Sequence, residues 1–154
     1  MGVLCDHAIK ELIDNGLIDF NRSEIDYETV ITQINPNTLD LSLGRFVRWP
    51  KEHSGQVIFG KAHHSDDFWE LQEIDPKEGI LLKPGDIFLG SSREFLRMPG
   101  DICGQVYTKS SLGRLFINHM MAGVIDAGFQ GTITLELKNA GWWFPHFSTI
   151  RKTI

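Results

Sequence analysis

Apolar residues recur along this chain at two spacings. In CDHAIKELIDNG, Ile9, Leu12 and Ile13 stand at i, i+3 and i+4. Asp6 is placed to cap the start, and Asn15-Gly16 to end it through a left-handed residue, which predicts a short amphipathic helix over about 6–15. Beyond it the period falls to two. LDLSLGRFVRW alternates and then turns aromatic, GILLKPGDIFLGSSREFL sets two apolar runs around a Pro-Gly-Asp turn, and TITLELKN alternates strictly. Many short strands punctuated by turn residues predict a mainly β fold of the sandwich, jelly-roll or barrel kind. The stretch from about 50 to 76, with HSGQVIFGKAHHSDDFWE inside it, follows neither period and reads as an irregular loop.

Composition narrows the class. A chain of 154 residues with 42% hydrophobic content suits one domain over 1–154. The formal charge of -5 argues against binding nucleic acid, which needs a dense basic face, but leaves room for a small anionic ligand held by local cations. Cys5 and Cys103 fit neither a disulfide framework nor a paired-cysteine zinc site, and without a cationic or histidine neighbour they read as structural thiols of a reducing cytoplasm. No leader and no bilayer-long apolar run is apparent, so a soluble protein with no membrane partner is expected. His63, His64, Asp66 and Asp67 lie together, but adjacent side chains of an extended segment point apart; they read as a solvated loop rather than a metal site.

The chemistry concentrates in KSSLGRLFINHMMAGVIDAGFQGTITLELKN, from Lys109 to Asn139. The strand period sends Ile133, Leu135 and Leu137 to one face and Thr132, Thr134, Glu136 and Lys138 to the other. GVIDAGFQG reads as a strand turning through Gly128 to Gly131, so Asp126 and Glu136 are expected on paired strands of one hairpin, roughly 10 Å apart. KSSLGR offers the hydroxyls of Ser110 and Ser111, a glycine for close backbone approach, and the cations Lys109 and Arg114, a set suited to phosphate. It is not a Walker loop. On residues alone, a phosphate-binding turn and a solvated polar hairpin both stand.

KSSLGR followed by AGVIDAGFQGTITLELKN resembles the dCTP deaminase and trimeric dUTPase superfamily. INPNTLDLSLG resembles its first motif, LLKPGDIFLGSSREFLRMPGDICGQV its central strands, and VLCDHAIKELIDNG the N-terminal helix of the deaminase branch. The resemblance implies a β-clip or distorted jelly-roll fold and a homotrimer with nucleotide sites at its subunit junctions. It implies dCTP as substrate, bound with Mg2+ through its phosphates, dUTP and dTTP as candidate further ligands, and no zinc. Glu136 would be the proton-transfer group in the hydrolysis of dCTP to dUTP and ammonia, with Ser110 holding the attacking water and Arg114 contacting the glutamate and phosphate region. Lys109, Ser110, Ser111, Leu112, Gly113 and Arg114 would bind the phosphates, Asp126 the sugar, and Thr134 and Leu135 the base through their backbone. Ala122-Gly123 is similar to the bifunctional branch that continues to dUMP, which stands as the alternative.

Three departures from the family pattern carry expectations. Lys109 replaces the usual arginine and loses its two-pronged contact, which predicts weaker phosphate binding. The segment between Arg114 and Asp126 is one residue shorter, shifting Met120 and Met121 relative to the pocket. The tail over 140–154, AGWWFPHFSTIRKTI, lacks the signals of the family's closing arm. It raises a second alternative, a non-catalytic nucleotide-binding relative.

Overall fold

The computed structural model describes residues 2–52, 68–75, 78–120 and 122–142, together with the backbone of 146–147. The first element is α1 (Asp6–Asp14), which buries Ile9 and Ile13 as the spacing predicts. Its N-cap is Cys5 rather than Asp6, because the Asp6 N–H donates to the Pro36 carbonyl at 2.9 Å and the Asp6 carboxylate accepts from the His7 N–H at 2.7 Å. The helix ends as expected. Gly16, at φ 96°, donates to the Ile13 carbonyl while the Leu17 N–H reaches the Leu12 carbonyl, a Schellman closure that needs the left-handed residue.

A second helix, α2 (Tyr27–Ile31), is too short for periodicity to announce. It is set by Asp26, whose side chain accepts from the Thr29 N–H at 2.7 Å. Tyr27 then donates to Asp14 at 2.7 Å while Lys10 pairs with the same carboxylate at 2.6 Å, clamping the two helices together.

The strands are β1 (Ile34–Asn35), β2 (Thr38–Leu39), β3 (Leu43–Pro50), β4 (Trp69–Glu73), β5 (Ile80–Leu81), β6 (Ile87–Arg97), β7 (Gly104–Gln105), β8 (Ile117–His119), β9 (Val124–Ile125), β10 (Gln130–Asn139) and β11 (His146–Phe147), with a short helix α3 (Ser110–Gly113) before β8. Five of them form an antiparallel sheet in the order β4-β3-β6-β10-β8, and β1-β2, β5-β11 and β7-β9 form small ribbons. The architecture is mainly β with a short N-terminal helix, as expected. One expectation is corrected: the region taken as an irregular loop contains β4, which pairs with β3 from Phe46↔Glu73 to Pro50↔Trp69. Its tryptophan, alternating polar residues and leucine were signals too brief to outweigh the loop around them. His63, His64, Asp66 and Asp67 lie outside the described residues, as does most of the atypical tail. Among the described residues, no helix is long and apolar enough to cross a membrane.

The core sits on one face of this sheet. On β6 the inward positions are Phe88, Gly90, Ser92, Glu94 and Leu96; on β10 they are Ile133, Leu135, Leu137 and Asn139. Gly90 lets Leu43 pack against β6, since a Cβ there would come 2.2 Å from Cδ1 of Leu43 and force that side chain to move. Two inward residues of β6 are polar, and both replace missing ladder bonds. The Ser92 hydroxyl accepts the Ile133 N–H at 2.9 Å, where the β6–β10 register shifts between Thr132 and Thr134. Glu94 is fully buried, and its carboxyl group accepts from the Ser42 N–H at 3.0 and 3.1 Å and from Gln33 Nε2 at 3.1 Å.

Two stability measurements follow from these contacts. Replacing Glu94 with alanine orphans the buried donors of Ser42 and Gln33; urea unfolding is expected to show a loss of about 3 kcal/mol, with a smaller loss for Glu94→Gln. The helix clamp sets the acid side. Hydrogen bonds from Lys10 and Tyr27 lower the Asp14 carboxyl, and that from the Thr29 N–H lowers the Asp26 carboxyl, below the ordinary 3.8. Groups depressed in the folded state stabilise fully above that ordinary value, and the contribution disappears as pH falls through the lowered one. Thermal melts of Asp26→Ala should therefore lose less Tm between pH 6 and pH 3 than the wild type.

Candidate functional site

The KSSLGR segment folds as a single turn of helix between a loop and a strand. Lys109 caps α3, with the Leu112 and Gly113 N–H groups donating to its carbonyl at 2.9 Å. Leu112 is driven into the core, which pins the turn; Ser110, Gly113 and Arg114 are left exposed and Ser111 half-buried. A Cβ on Gly113 would meet nothing within 4 Å, so this chain alone does not demand glycine there. Phe116 then takes φ 58°, a left-handed conformation unusual for an aromatic, and turns the chain into β8.

β8 is the link between this loop and β10. Its register is Leu137↔His119, Lys138↔Asn118 and Asn139↔Ile117, and the Met120 N–H donates to the Glu136 carbonyl at 2.8 Å. Met120 therefore stands directly across from Glu136. On the opposite edge of β8 the His119 N–H donates to the Thr108 hydroxyl at 2.7 Å. The phosphate-type loop and Glu136 thus flank one strand, roughly 10 Å apart at two strand spacings. His119 shares the inward face with Leu137, and its Nε2 is buried with no hydrogen-bond partner among the described residues. Sequence reading did not single it out.

Glu136 itself is half-buried between the inward Leu135 and Leu137, and its carboxylate has no ion pair or hydrogen bond among the described residues. Thr134 is exposed. Alternation along an antiparallel strand gives Thr134 the same backbone direction as Glu136, so its N–H and C=O point to an edge of β10 that β8 does not reach. Leu135 is fully buried, pairs with Gly90, and turns its backbone toward β6.

The hairpin joining Asp126 to Glu136 is not formed. β9 pairs with β7 through Gly104↔Ile125 and Gln105↔Val124, while β10 pairs with β6 and β8. A turn is present but earlier than the expected Gly128 to Gly131: it spans Asp126–Phe129, where the Phe129 N–H reaches the Asp126 carbonyl at 3.1 Å with Gly128 at φ 78°. But the Gly128 N–H is drawn to the Pro99 carbonyl and the Met98 N–H to the Phe129 carbonyl, which sends β10 along β6 instead of back along β9. Exposed Asp126 is left six residues of strand from Glu136, roughly 20 Å.

Two further placements were not foreseen. Lys109 forms an ion pair with Asp40, from the INPNTLDLSLG segment. Cys5, expected to lack a histidine neighbour, has its Sγ 3.3 Å from Nδ1 of His7; the pair is visible as CDH, two residues apart at the start of α1. With Asp6 these donors lie within 4.8 Å of one another, the one such group among the described residues. A fully buried amide, Asn139, closes β10 by donating to the Leu82 carbonyl at 3.0 Å.

A family model described as dCTP deaminase-like matches residues 3–143. A dCTP deaminase, dUMP-forming, of Beutenbergia cavernae is 40% identical over 107 residues, covering 69% of this chain and 55% of the relative. One of Corynebacterium kroppenstedtii is 33% identical over 147 residues, 90% of this chain and 71% of the relative. A protein named dCTP deaminase from Natronomonas pharaonis is 33% identical over 141 residues, 90% of this chain and 70% of that one. The crystal structure of 2′-deoxycytidine 5′-triphosphate deaminase from Agrobacterium tumefaciens superposes with a TM-score of 0.65 at 27% identity, covering 90% of this chain and 41% of that chain. The chain therefore spans about half the length of the Beutenbergia relative.

Proposed function

The chain belongs to the dCTP deaminase-like family, and from that premise we propose that it hydrolyses the 4-amino group of dCTP, giving dUTP and ammonia for pyrimidine deoxynucleotide synthesis. The observation that carries this reading is half-buried Glu136, without a hydrogen-bond or ion-pair partner among the described residues, one strand from the Lys109–Arg114 loop and beside the backbone edge at Thr134 that no described residue pairs with. A carboxylate so placed takes a proton from water as the water oxygen attacks C4 and delivers it to N3, where it stays. It then takes the remaining proton of the new C4 hydroxyl and passes it to the 4-amino group, which leaves as ammonia while the C4 carbonyl forms. Ser110 holds that water, and Arg114 balances the glutamate and the phosphates. The N–H and C=O of Thr134 meet the hydrogen-bonding edge of the base, with Leu135 fixing the strand behind it.

Lys109, Ser110, Ser111, Gly113 and Arg114 supply donors and cations, while buried Leu112 anchors the turn. These groups suit the anionic oxygens of a triphosphate and not a metal. Mg2+ would accordingly arrive with the substrate, held by its phosphates. The two unpaired thiols fit a protein working in the reducing cytoplasm.

Asp126 would bind the sugar hydroxyl, but not in the pocket of its own Glu136, since some 20 Å of strand separates them. The site is completed by a second copy, in a homotrimer with nucleotides at its junctions. Exposed Tyr107, Leu115, Phe116, Met120, Val124 and Trp142 around these elements support such an association.

A second reading, in which the same enzyme continues to dUMP and pyrophosphate, is favoured by Gly123. A Cβ there would lie 3.2 Å from the Val106 carbonyl oxygen, a tight approach of backbone to backbone at Gly123. The names of the Beutenbergia and Corynebacterium relatives agree with it. Asp126 would then also orient a second water toward the α-phosphate.

Incubation with dCTP and magnesium, with products resolved by chromatography, tests both readings. Ammonia with dUTP is the outcome expected of the deaminase, and dUMP with pyrophosphate that of the bifunctional enzyme. Absence of turnover at high enzyme concentration overturns both in favour of a non-catalytic nucleotide-binding protein. Glu136→Gln should lower kcat by about 10²–10⁴-fold while nucleotide binding persists. Sedimentation should give a particle of three 17.5 kDa chains, and a fully active monomer would rule out the shared site.

A further inference from the structure

We propose that Asp40 is a positioning residue for the phosphate loop, holding the Lys109 ammonium ready for a polyphosphate; this deepens the reading above and rests on it. The two residues lie 69 apart in sequence, yet Lys109 Nζ donates directly to Asp40 Oδ2. The Asp40 side chain is only 15% exposed, whereas that of Lys109 is 40% exposed and still reaches solvent.

What makes Asp40 an anchor is its own attachment. Its N–H donates to the Gln33 carbonyl at 3.0 Å, and its carbonyl accepts from Gln33 Nε2 at 2.6 Å. The other hydrogen of that amide goes to Glu94, 3.1 Å away, so both donors of Gln33 Nε2 are used. A continuous chain of contacts therefore runs from the fully buried Glu94 through Gln33 and Asp40 to Lys109.

A lysine on a surface loop samples many rotamers, and ordering its stem opposes binding. Pairing with a fixed carboxylate orders it in advance and uses one of three N–H donors, leaving two for phosphate oxygens. The same carboxylate also cancels one positive charge. The two effects have opposite signs: if orientation dominates, removing the charge of Asp40 weakens polyphosphate binding, and if cancellation dominates, it strengthens binding.

The test compares wild type, Asp40→Asn, Asp40→Glu, Lys109→Ala and the double variant Asp40→Asn/Lys109→Ala. It measures dCTP kinetics with magnesium and calorimetric binding of inorganic tripolyphosphate. Asp40→Asn should raise KM for dCTP about five- to tenfold with kcat within about twofold, and weaken tripolyphosphate equally. Asp40→Glu should recover part of the loss, and it serves as the readout if Asp40→Asn does not fold. On the Lys109→Ala background, Asp40→Asn should change binding less than about twofold, because the two act as one unit.

An unchanged or lowered KM in a folded Asp40→Asn, or full additivity with Lys109→Ala, overturns the proposal while leaving deamination intact. A wild type that binds tripolyphosphate in an Asp40-dependent way but never deaminates dCTP refutes the deaminase and leaves the anchor standing. A wild type that does neither refutes both.

Discussion

A fully buried carboxyl group that makes no ion pair among the described residues, Glu94, ties this fold together, and what surrounds it explains the arrangement of the first half of the chain. Just before β3 the Ser42 carbonyl accepts the Arg93 N–H, but the Arg93 carbonyl is taken by the Glu24 N–H, so the Ser42 N–H would be left bare there. Glu94 accepts it with both oxygens and takes a Gln33 hydrogen as well. Burying a polar group is costly unless its partners are complete. The sheet, the β1–β2 ribbon and the segment leading to Asp40 are therefore specified together. That chain of contacts ends at the Lys109 side chain through Asp40, while buried Leu112 pins the loop itself.

β10 is the second organising element, and it has three distinct surfaces. Its inward face, Ile133, Leu135, Leu137 and Asn139, closes the core, and its long edge pairs with β6. Its other edge is paired with β8 from Glu136 onward, and among the described residues nothing pairs with the backbone at Thr134 on that side. The chemistry gathers where the regular sheet stops. An uncovered edge can hydrogen-bond a planar base as readily as another strand, and Glu136 stands half-buried on the outward face of the strand whose other face buries Leu135 and Leu137. Asp126 lies beyond the far end of β10 from Glu136, so the two groups that the nucleotide motif brings close in sequence are apart in the fold.

Much of this was readable in the chain. Apolar spacing and Asn15-Gly16 identified α1 and its end, strict alternation identified the inward face of β10, and the Pro84-Gly85 turn is present, with the Asp86 N–H reaching the Lys83 carbonyl at 3.0 Å. The order of motifs was sufficient to suggest the family. The misreadings have a common cause. α2 spans five residues, fewer than two turns, so its only sign was Asp26 in front of it. β4 was hidden by the polar stretch that precedes it. The turn after Asp126 reads as a hairpin because its glycines and flanking apolar runs are the signals of one; the left-handed residue falls at Gly128, and the contacts to Pro99 and Met98 carry the strand away along β6.

The sequence by itself determined which side chains face inward, where the turns fall, and that a phosphate-type loop is followed by a strand bearing an outward glutamate, because periodicity and turn chemistry are local properties. Tertiary structure alone decided which strands became neighbours. It set β8 between the loop and Glu136, left the Thr134 edge unpaired among the described residues, moved Asp126 to the other end of β10, and brought Asp40 to Lys109 across 69 residues. Pairing is a competition among all strands and donors for a limited set of edges and acceptors. No stretch of chain carries the outcome of that competition in its own residues.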